Sequence, residues 1–597
     1  MIGILQAQDG AGMTENLQVI GRMKMSLQFI IGSSGSGKSC YAYQNIIEQA
    51  GLHPEKLFYV IVPEQFTMQT QKTLVEMSPG RGILNIDILS FERLAYRVLE
   101  EVGGDSRILL EETGKSMVLQ KMVQQHGKEL SYLGGQMRKA GYLDEVKSIL
   151  SEFMQYDIRD SEIQEMIEDS GDRALLQMKL KDVAVLYQAF TGYLKDHYMT
   201  GEEVMDALEK ALPFSEKMKN SVLLLDGYTG FTPIQMRVVG ELLAVCEKVM
   251  VTVTMDADEN LSMRGKPYQL FYMSRQMIHG LSELTREIET PVLLKDVGKS
   301  RFSQAPALHF LEKNIFRYRK NIYKKAQDEI CMFSAVNPQK EMEEAARRIA
   351  RLVREKGCRY GEIAVITGNL EEYGNLAKQV FTAAGIPYFI DEKHTVLMNP
   401  FVEYFRAALE MAVQDFSYES VFRYLRCGMS CVTREEADLL ENYVLALGIR
   451  GFKKWDEVWV RIYRGMPPES IQRLNEIRQR FADETRELAL SFKGGKKTVR
   501  EYCTFLYEFA VRSQVQQKLK HQELKFKEQG DKAMEKEYAQ IYGIVMELLD
   551  NMVEILGEET VNRQDFRQLL ETGLNQAKVA LIPPSMDQVL VGDMERT

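Results

Sequence analysis

A glycine-rich loop between an apolar run and a helical pattern constrains the fold of this chain more than any other feature. Residues 32–39 read Gly-Ser-Ser-Gly-Ser-Gly-Lys-Ser and follow the apolar run 27–31 directly. Apolar side chains then recur at helical spacing, as at Ile46 and Ile47. The loop matches the pattern G-x-x-x-x-G-K-[ST], in which glycines let backbone N–H groups turn toward phosphate oxygens. Strand, loop and helix in this order are typical of a parallel α/β sheet that holds a phosphate at a helix N-terminus.

Each part of this loop has a predicted role in nucleotide binding. Lys38 supplies a positive charge for the β and γ phosphates, and Ser39 supplies a hydroxyl for Mg²⁺. The alternative is a glycine- and serine-rich turn that contains a lysine by chance, and the flanking strand and helix argue against it. The predicted ATP ligands in the loop are Gly32, Ser33, Ser34, Gly35, Ser36, Gly37, Lys38 and Ser39.

A second buried run ends in an acid. Residues 221–225 are almost entirely apolar and lead directly into Asp226. A P-loop protein needs a carboxylate at the end of a neighbouring buried strand to hold the Mg²⁺ shell. We therefore predict that Ser39 and Asp226 hold Mg²⁺ together with the nucleotide.

The length of 597 residues predicts several domains, because single cores stop growing at about 250–300 residues. The predicted fold class is α/β, in two α/β domains that each carry a helical insertion. Residues 1–24 are interpreted as a disordered or mis-started extension before Met25. The domain limits follow from where strand and helix patterns alternate: 25–105 with 218–300, helical insertion 106–217, 326–400 with 585–597, and helical insertion 401–584.

Short apolar or β-branched runs predict the strands of both sheets. The chain stops soon after its last predicted strand, so we expect it to be a piece of a longer protein. The predicted strands are 29–31, 57–62, 83–89, 222–225 and 249–253 for the first domain, and 330–334, 363–367, 388–390 and 588–591 for the second.

From Asp226 onward the sequence resembles the superfamily 1 helicases of the UvrD type. Their second motif begins Asp-Glu-aromatic, and Asp226, Tyr228 and Gln235 agree with it in register. The resemblance makes Gln235 a further predicted nucleotide ligand. The glutamate that activates the attacking water is replaced by Gly227, so no catalytic residue is assigned. We expect a site that binds Mg·ATP and hydrolyses it poorly, unless another residue supplies the base.

Other helicase motifs are present in degenerate form. Ser90 and Phe91 match the end of the motif Thr-Ile-His-Ser-Phe, which contacts single-stranded DNA, but Leu89 replaces its histidine. Asp256 stands where the third motif has its aspartate, and Arg301 is a weak match to the arginine of the fourth.

The segments 62–67, 90–95, 226–235, 385–391 and 584–589 resemble the AddB subunits of the bacterial AddAB helicase–nucleases. This resemblance covers essentially all of residues 25–597 and implies two RecA-like P-loop domains. It also implies a heterodimer with an AddA-like motor, which binds single- and double-stranded DNA and processes double-strand breaks for recombinational repair. In that family the AddB core scans the strand for a hotspot sequence, and Thr67, Ser90 and Phe91 are the predicted DNA contacts. The family's nuclease domain and its iron–sulfur cluster are expected beyond residue 597.

Two other functions remain open: a self-sufficient superfamily 1 helicase, and a P-loop scaffold that does not bind DNA. The net charge of −10 argues against non-specific DNA binding over the whole surface. A local groove stays possible at the basic and aromatic stretches 316–325 and 450–455. No apolar run approaches the ~18 residues of a membrane span. Seven cysteines without CxxC spacing suit reduced thiols in the cytoplasm.

Overall fold

The computed structural model describes residues 26–80, 82–103, 107–137, 141–195, 198–295, 301–317, 320–390, 394–579 and 587–594. The predicted extension 1–24 lies outside these ranges. Within them, no helix combines the length and apolar character needed to cross a membrane.

The described chain separates into two compact units. The first unit takes the described residues of Met1–Ser106, Gln155–Asp157 and Glu202–Cys331. The second unit takes those of Arg107–Met154, Ile158–Gly201 and Met332–Thr597.

The strands are short and mostly apolar. In chain order they are β1 (Ser26–Gly32), β2 (Leu57–Ile61), β3 (Ile86–Leu89), β4 (Ile108–Leu110), β5 (Tyr198–Thr200), β6 (Ser221–Leu225), β7 (Lys248–Thr254), β8 (Val292–Leu294), β9 (Ala364–Thr367), β10 (Tyr388–Ile390), β11 (His394–Thr395), β12 (Lys497–Thr498), β13 (Thr560–Val561), β14 (Lys578–Val579) and β15 (Val589–Asp593).

Helices make up most of the rest. They are α1 (Lys38–Leu52), α2 (Thr67–Met77), α3 (Phe91–Val102), α4 (Glu112–His126), α5 (Leu133–Gln136), α6 (Tyr142–Gln155), α7 (Asp160–Asp169), α8 (Ala174–Leu194), α9 (Gly201–Ala211), α10 (Glu216–Lys219), α11 (Pro233–Val245), α12 (Tyr272–Leu284), α13 (Pro306–Asn314), α14 (Pro338–Lys356), α15 (Leu370–Ala383), α16 (Pro400–Val413), α17 (Tyr418–Arg426), α18 (Arg434–Leu447), α19 (Phe452–Asp456), α20 (Ser470–Ser491), α21 (Val499–Arg512), α22 (Val515–Glu528), α23 (Lys532–Leu556) and α24 (Arg563–Gln576). Short 3₁₀ turns occupy Glu64–Phe66, Leu212–Phe214, Tyr360–Glu362 and Val396–Met398.

The first unit is built on a six-stranded sheet in the order β3-β2-β6-β7-β1-β8. Every pairing in it is parallel, as the alternation of strands and helices predicts. All five residues of β6 are buried, because a central parallel strand is covered on both faces. Gly32 pairs with Thr254 and Leu225 pairs with Val251, so the carboxyl ends of β1, β6 and β7 meet at one edge.

The second unit contains a smaller parallel sheet in the order β10-β15-β9. The strand predicted at 588–591 lies in the middle of this sheet, between the two strands predicted at 388–390 and 363–367. Helices α14 and α15 pack on one of its faces through Met342, Phe381 and their neighbours.

The strand predicted at 330–334 is wrong. These residues form no strand and pair with no strand of the described chain. Met332 is 92% exposed, and Phe333 instead packs under the guanidinium of Arg348 on α14, 4.4 Å from its ring centre. A short apolar run predicts an extended backbone and does not specify a pairing partner.

The rest of the second unit is helical, with an aromatic-rich core that α16, α17, α20, α21, α23 and α24 share. The sequence predicted no strands between residues 108 and 217, yet β4 and β5 form a short parallel pair there.

Phe452 and Trp455, from the second basic and aromatic stretch, are 5% and 1% exposed. Their rings belong to the core, so these two aromatic residues are not available to stack on DNA bases.

The two sheets differ in how well their strands are covered, and this difference predicts their hydrogen exchange. The amides of Ser221–Leu225 lie in a fully buried central strand, whereas Ala364–Thr367 form an edge strand with half of its residues exposed. We expect slower exchange in Ser221–Leu225, measured by mass spectrometry on the native chain. Equal and strong protection of both strands would contradict this difference in local stability.

Candidate nucleotide-binding site

The loop after β1 turns sharply into α1. Gly35 and Gly37 adopt the left-handed region, with φ of 73° and 89°, and α1 begins immediately afterwards at Lys38. Residues with side chains rarely adopt this region, so both positions favour glycine. The conformation leaves the backbone N–H groups of the loop next to the N-terminus of α1, where an anion is favoured.

Close packing explains two of the glycines. A Cβ at Gly32 would lie 2.3 Å from Ser36 Oγ, and one at Gly35 would lie 2.8 Å from the ring of Phe302. The backbone N–H of Arg301 also donates to the carbonyl of Gly35 at 3.0 Å. The segment around Arg301 and Phe302 therefore supports the loop from outside.

Lys38 lies inside this turn. Its Nζ donates to the carbonyl oxygen of Ser33 at 3.0 Å. Burial lowers the pKa of Lys38, and the charges of Asp226 and Glu312 partly offset that effect. A buried ammonium that feels two carboxylates only at a distance gains most from an added anion such as a phosphate.

Asp226 is the central acid of the site. It follows β6, is only 5% exposed, and accepts hydrogen bonds on both carboxylate oxygens. Oδ1 accepts from Ser39 Oγ at 3.1 Å and from Thr252 Oγ1 at 2.6 Å, and Oδ2 accepts from Tyr43 OH at 2.6 Å. Burial, and after it the charge of Asp226, raises the pKa of Tyr43 well above its usual range, so this hydroxyl keeps its proton and donates.

The residues fit a magnesium-bound nucleotide. Ser39 and Asp226 are in contact, which places the hydroxyl and the carboxylate that Mg²⁺ requires on one side of the loop. Lys38 immediately precedes Ser39 in the chain. The sequence predicted these three residues, and the structure brings them together; Tyr43 and Thr252 carried no recognised signal, since neither belongs to the loop pattern.

Gly227 has a conformation that disfavours a side chain. Its φ is 82°, and a Cβ there would lie 3.5 Å from Pro63 and 3.9 Å from Phe66. Space is therefore adequate, but the backbone is strained for any other residue, by roughly 1–2 kcal/mol.

Gln235, a predicted nucleotide ligand, lies in the first turn of α11, where its Oε1 accepts from the backbone N–H of Thr232 at 3.1 Å in a capping box.

The three predicted DNA contacts lie after β2 and β3, each 5% exposed. Thr67 Oγ1 donates to the carbonyl of Glu64 at 2.9 Å. Ser90 caps α3, accepting from the N–H of Arg93 at 3.4 Å. The ring of Phe91 meets those of Tyr228 and Phe231 edge-on, with centroids 5.4 and 6.2 Å away.

The stretch 316–325 includes an arginine that is internal. Both carboxylate oxygens of Asp256 accept from the Arg317 guanidinium at 2.8 Å, and Glu312 adds an ion pair at 3.0 Å. The Arg317 side chain is 8% exposed, so this arginine does not contribute to the candidate groove at 316–325. Residues 318–319 lie outside the described chain.

Comparison with known proteins identifies relatives along nearly the whole chain. A family model described as "ADDB, N-terminal" matches residues 29–312. Proteins named as one subunit of an ATP-dependent helicase/deoxyribonuclease are similar over 96% of this chain: 43% identical in Lachnoclostridium phytofermentans, 34% in Clostridium novyi and 35% in Caldanaerobacter subterraneus. The match covers 51%, 50% and 50% of these relatives. The chain thus spans about half the length of the curated relatives it matches.

Replacing Phe91 distinguishes packing from DNA contact. Because the ring is buried against two other aromatic rings, Phe91→Ala is expected to lower the free energy of unfolding by about 3–5 kcal/mol. Urea denaturation measures this loss, and Tyr96→Ala on the exposed side of α3 is the control. Unchanged stability with weaker binding of single-stranded DNA would instead show that the ring serves the strand.

Proposed function

We propose that this chain belongs to the ADDB family of helicase/deoxyribonuclease subunits, binds Mg·ATP and acts in a DNA-processing helicase–nuclease. Residues 32–39 hold the phosphates, Lys38 neutralises them, and Ser39 with Asp226 holds Mg²⁺. The observation that carries the proposal is the contact of 3.1 Å between Ser39 and Asp226, which unites two motifs 187 residues apart.

The chain's place in a larger assembly is part of the same proposal. The relatives are named as a subunit, which supports a partner, and we propose an AddA-like motor in a cytoplasmic heterodimer. The assembly processes double-strand DNA ends for recombinational repair, and this chain contributes strand scanning and hotspot recognition. We propose that the assembly also carries an iron–sulfur nuclease domain, in line with the word deoxyribonuclease in the relatives' names.

We also propose that the two parallel sheets are the cores of two RecA-like domains. The six-stranded sheet carries the phosphate loop, and the β10-β15-β9 sheet begins the second domain. The limits proposed are 25–105 with 218–300 and 326–400 with 585–597, separated by the helical regions 106–217 and 401–584.

DNA contact is proposed on the surface formed after β2 and β3, at Thr67, Ser90 and Phe91. Since each of them is 5% exposed, these residues support the surface from below and offer little of their own area to DNA. The exposed ion pair between Arg93 and Glu64, 2.9 Å apart, joins the two segments.

A self-sufficient helicase is the second candidate, and Gly227 argues against it. A glutamate is missing where water must be activated, and the left-handed backbone disfavours its return. The third candidate, a scaffold whose nucleotide only stabilises the fold, predicts no DNA binding even when the motor partner is present.

Lys38→Ala tests nucleotide binding. The partly buried ammonium of Lys38 is the one lysine or arginine charge in residues 32–39, so its removal should weaken binding by at least tenfold, or about 1.4 kcal/mol. Titration with a fluorescent ATP analogue in the presence of Mg²⁺ measures this. Lys56→Ala, which removes an ion pair to Glu247 elsewhere in the first unit, is the control. Equal affinity of Lys38→Ala and wild type would refute the site.

Hydrolysis is tested at Gly227. Phosphate release by the isolated chain should stay near background even with single-stranded DNA, because no glutamate follows Asp226. Gly227→Glu is expected not to restore turnover, since Thr229 and Gly230 also depart from the helicase motif and the new residue must adopt φ near 82°. DNA-stimulated turnover of the wild type that Lys38→Ala abolishes would show instead that another residue acts as the base.

A further inference from the structure

Tyr43 bridges the acid of the site and the helix after β2. Its side chain projects from α1 and is 6% exposed. The hydroxyl donates to Asp226 Oδ2 at 2.6 Å and lies 3.4 Å from Thr70 Oγ1 on α2. Nothing in the phosphate-loop pattern calls for a tyrosine five residues after the lysine.

The two oxygens of Asp226 have separate partners. Oδ1 faces the loop, where Ser39 donates to it, and Thr252 of β7 donates to the same oxygen. Oδ2 faces Tyr43. A carboxylate that is bonded on both oxygens cannot rotate about its terminal bond without breaking a buried hydrogen bond, and hydrogen bonds to charged groups are the stronger ones.

We infer that Tyr43 is a positioning residue for the metal–nucleotide complex: its hydroxyl holds Asp226 Oδ2, so that Oδ1 stays turned toward Ser39. The inference rests on the proposed binding of Mg·ATP and deepens it. Tyr43 does not touch the metal in this arrangement; it acts only through the orientation of Asp226.

A purely structural role for Tyr43 makes a different prediction. The ring packs with Ala42, Ile46 and Leu74 in the core between sheet and helices, and a phenylalanine keeps that packing. If the ring alone matters, Tyr43→Phe changes neither nucleotide binding nor its dependence on Mg²⁺. If the hydroxyl orients Asp226, Tyr43→Phe loses nucleotide affinity only when Mg²⁺ is present.

The test compares binding of a fluorescent ATP analogue to the full chain with excess Mg²⁺ and with EDTA. For Tyr43→Phe we expect affinity to fall about tenfold with Mg²⁺ and to stay unchanged in EDTA, as for the loss of one hydrogen bond to a charged group. Tyr41→Phe is the matched control, because this tyrosine lies on the same helix and is 40% exposed. It should behave as wild type in both conditions.

The inference is overturned if Tyr43→Phe has the same ratio of affinity with Mg²⁺ to affinity in EDTA as wild type. This holds whether both affinities are unchanged or both fall equally. If Tyr43→Phe does not fold, judged by circular dichroism, Thr252→Val is measured in the same way. It removes a donor from Oδ1, and an unaltered Mg²⁺ dependence in that variant likewise refutes a fixed carboxylate. Failure of the wild type to bind the analogue at all would refute the proposed function itself, which separates the two failures.

Discussion

The buried carboxylate of Asp226 is the interaction on which the site depends. A carboxylate at 5% exposure is costly unless hydrogen bonds and opposite charge replace its water. Here three hydroxyls donate to it, from Ser39, Tyr43 and Thr252, and Lys38 lies close enough for its charge to be felt. Since these groups come from α1 and β7, the acid fixes the loop-bearing helix over the carboxyl edge of the sheet.

The turn after Asp226 separates binding from hydrolysis. The backbone enters the left-handed region at Gly227, and the next aromatic residues, Tyr228 and Phe231, pack against Phe91. The chain thus leaves the candidate nucleotide site immediately after Asp226. A glutamate at position 227 would have to adopt this left-handed backbone at a cost of roughly 1–2 kcal/mol, so both the missing side chain and the backbone disfavour a base there.

How far the sequence predicts the structure depends on how local the signal is. The loop 32–39 and Asp226 were predictable, because spacing and a preceding apolar strand suffice. Tyr43 was not, because its partner lies 183 residues away and its spacing resembles ordinary core packing. The candidate groove residues Trp455 and Arg317 could not be judged from the sequence for the same reason. Composition shows that a residue is aromatic or basic, but only the fold shows that the Trp455 ring is buried and that Asp256 holds the Arg317 guanidinium.

The energetics of Phe91 show what kind of DNA surface this unit can offer. Moving the ring from its aromatic contacts onto a base would forfeit about 3–5 kcal/mol of packing. Stacking on a base returns only about 1–3 kcal/mol. This difference favours a ring that stays in the core, so the proposed role of Phe91 at a DNA surface is to fix the backbone at Ser90, where α3 begins. The proposed strand contact at this edge would then fall to exposed neighbours such as Arg93, which is paired with Glu64. Neutralising a phosphate with this arginine would release condensed counterions and make the contact sensitive to salt.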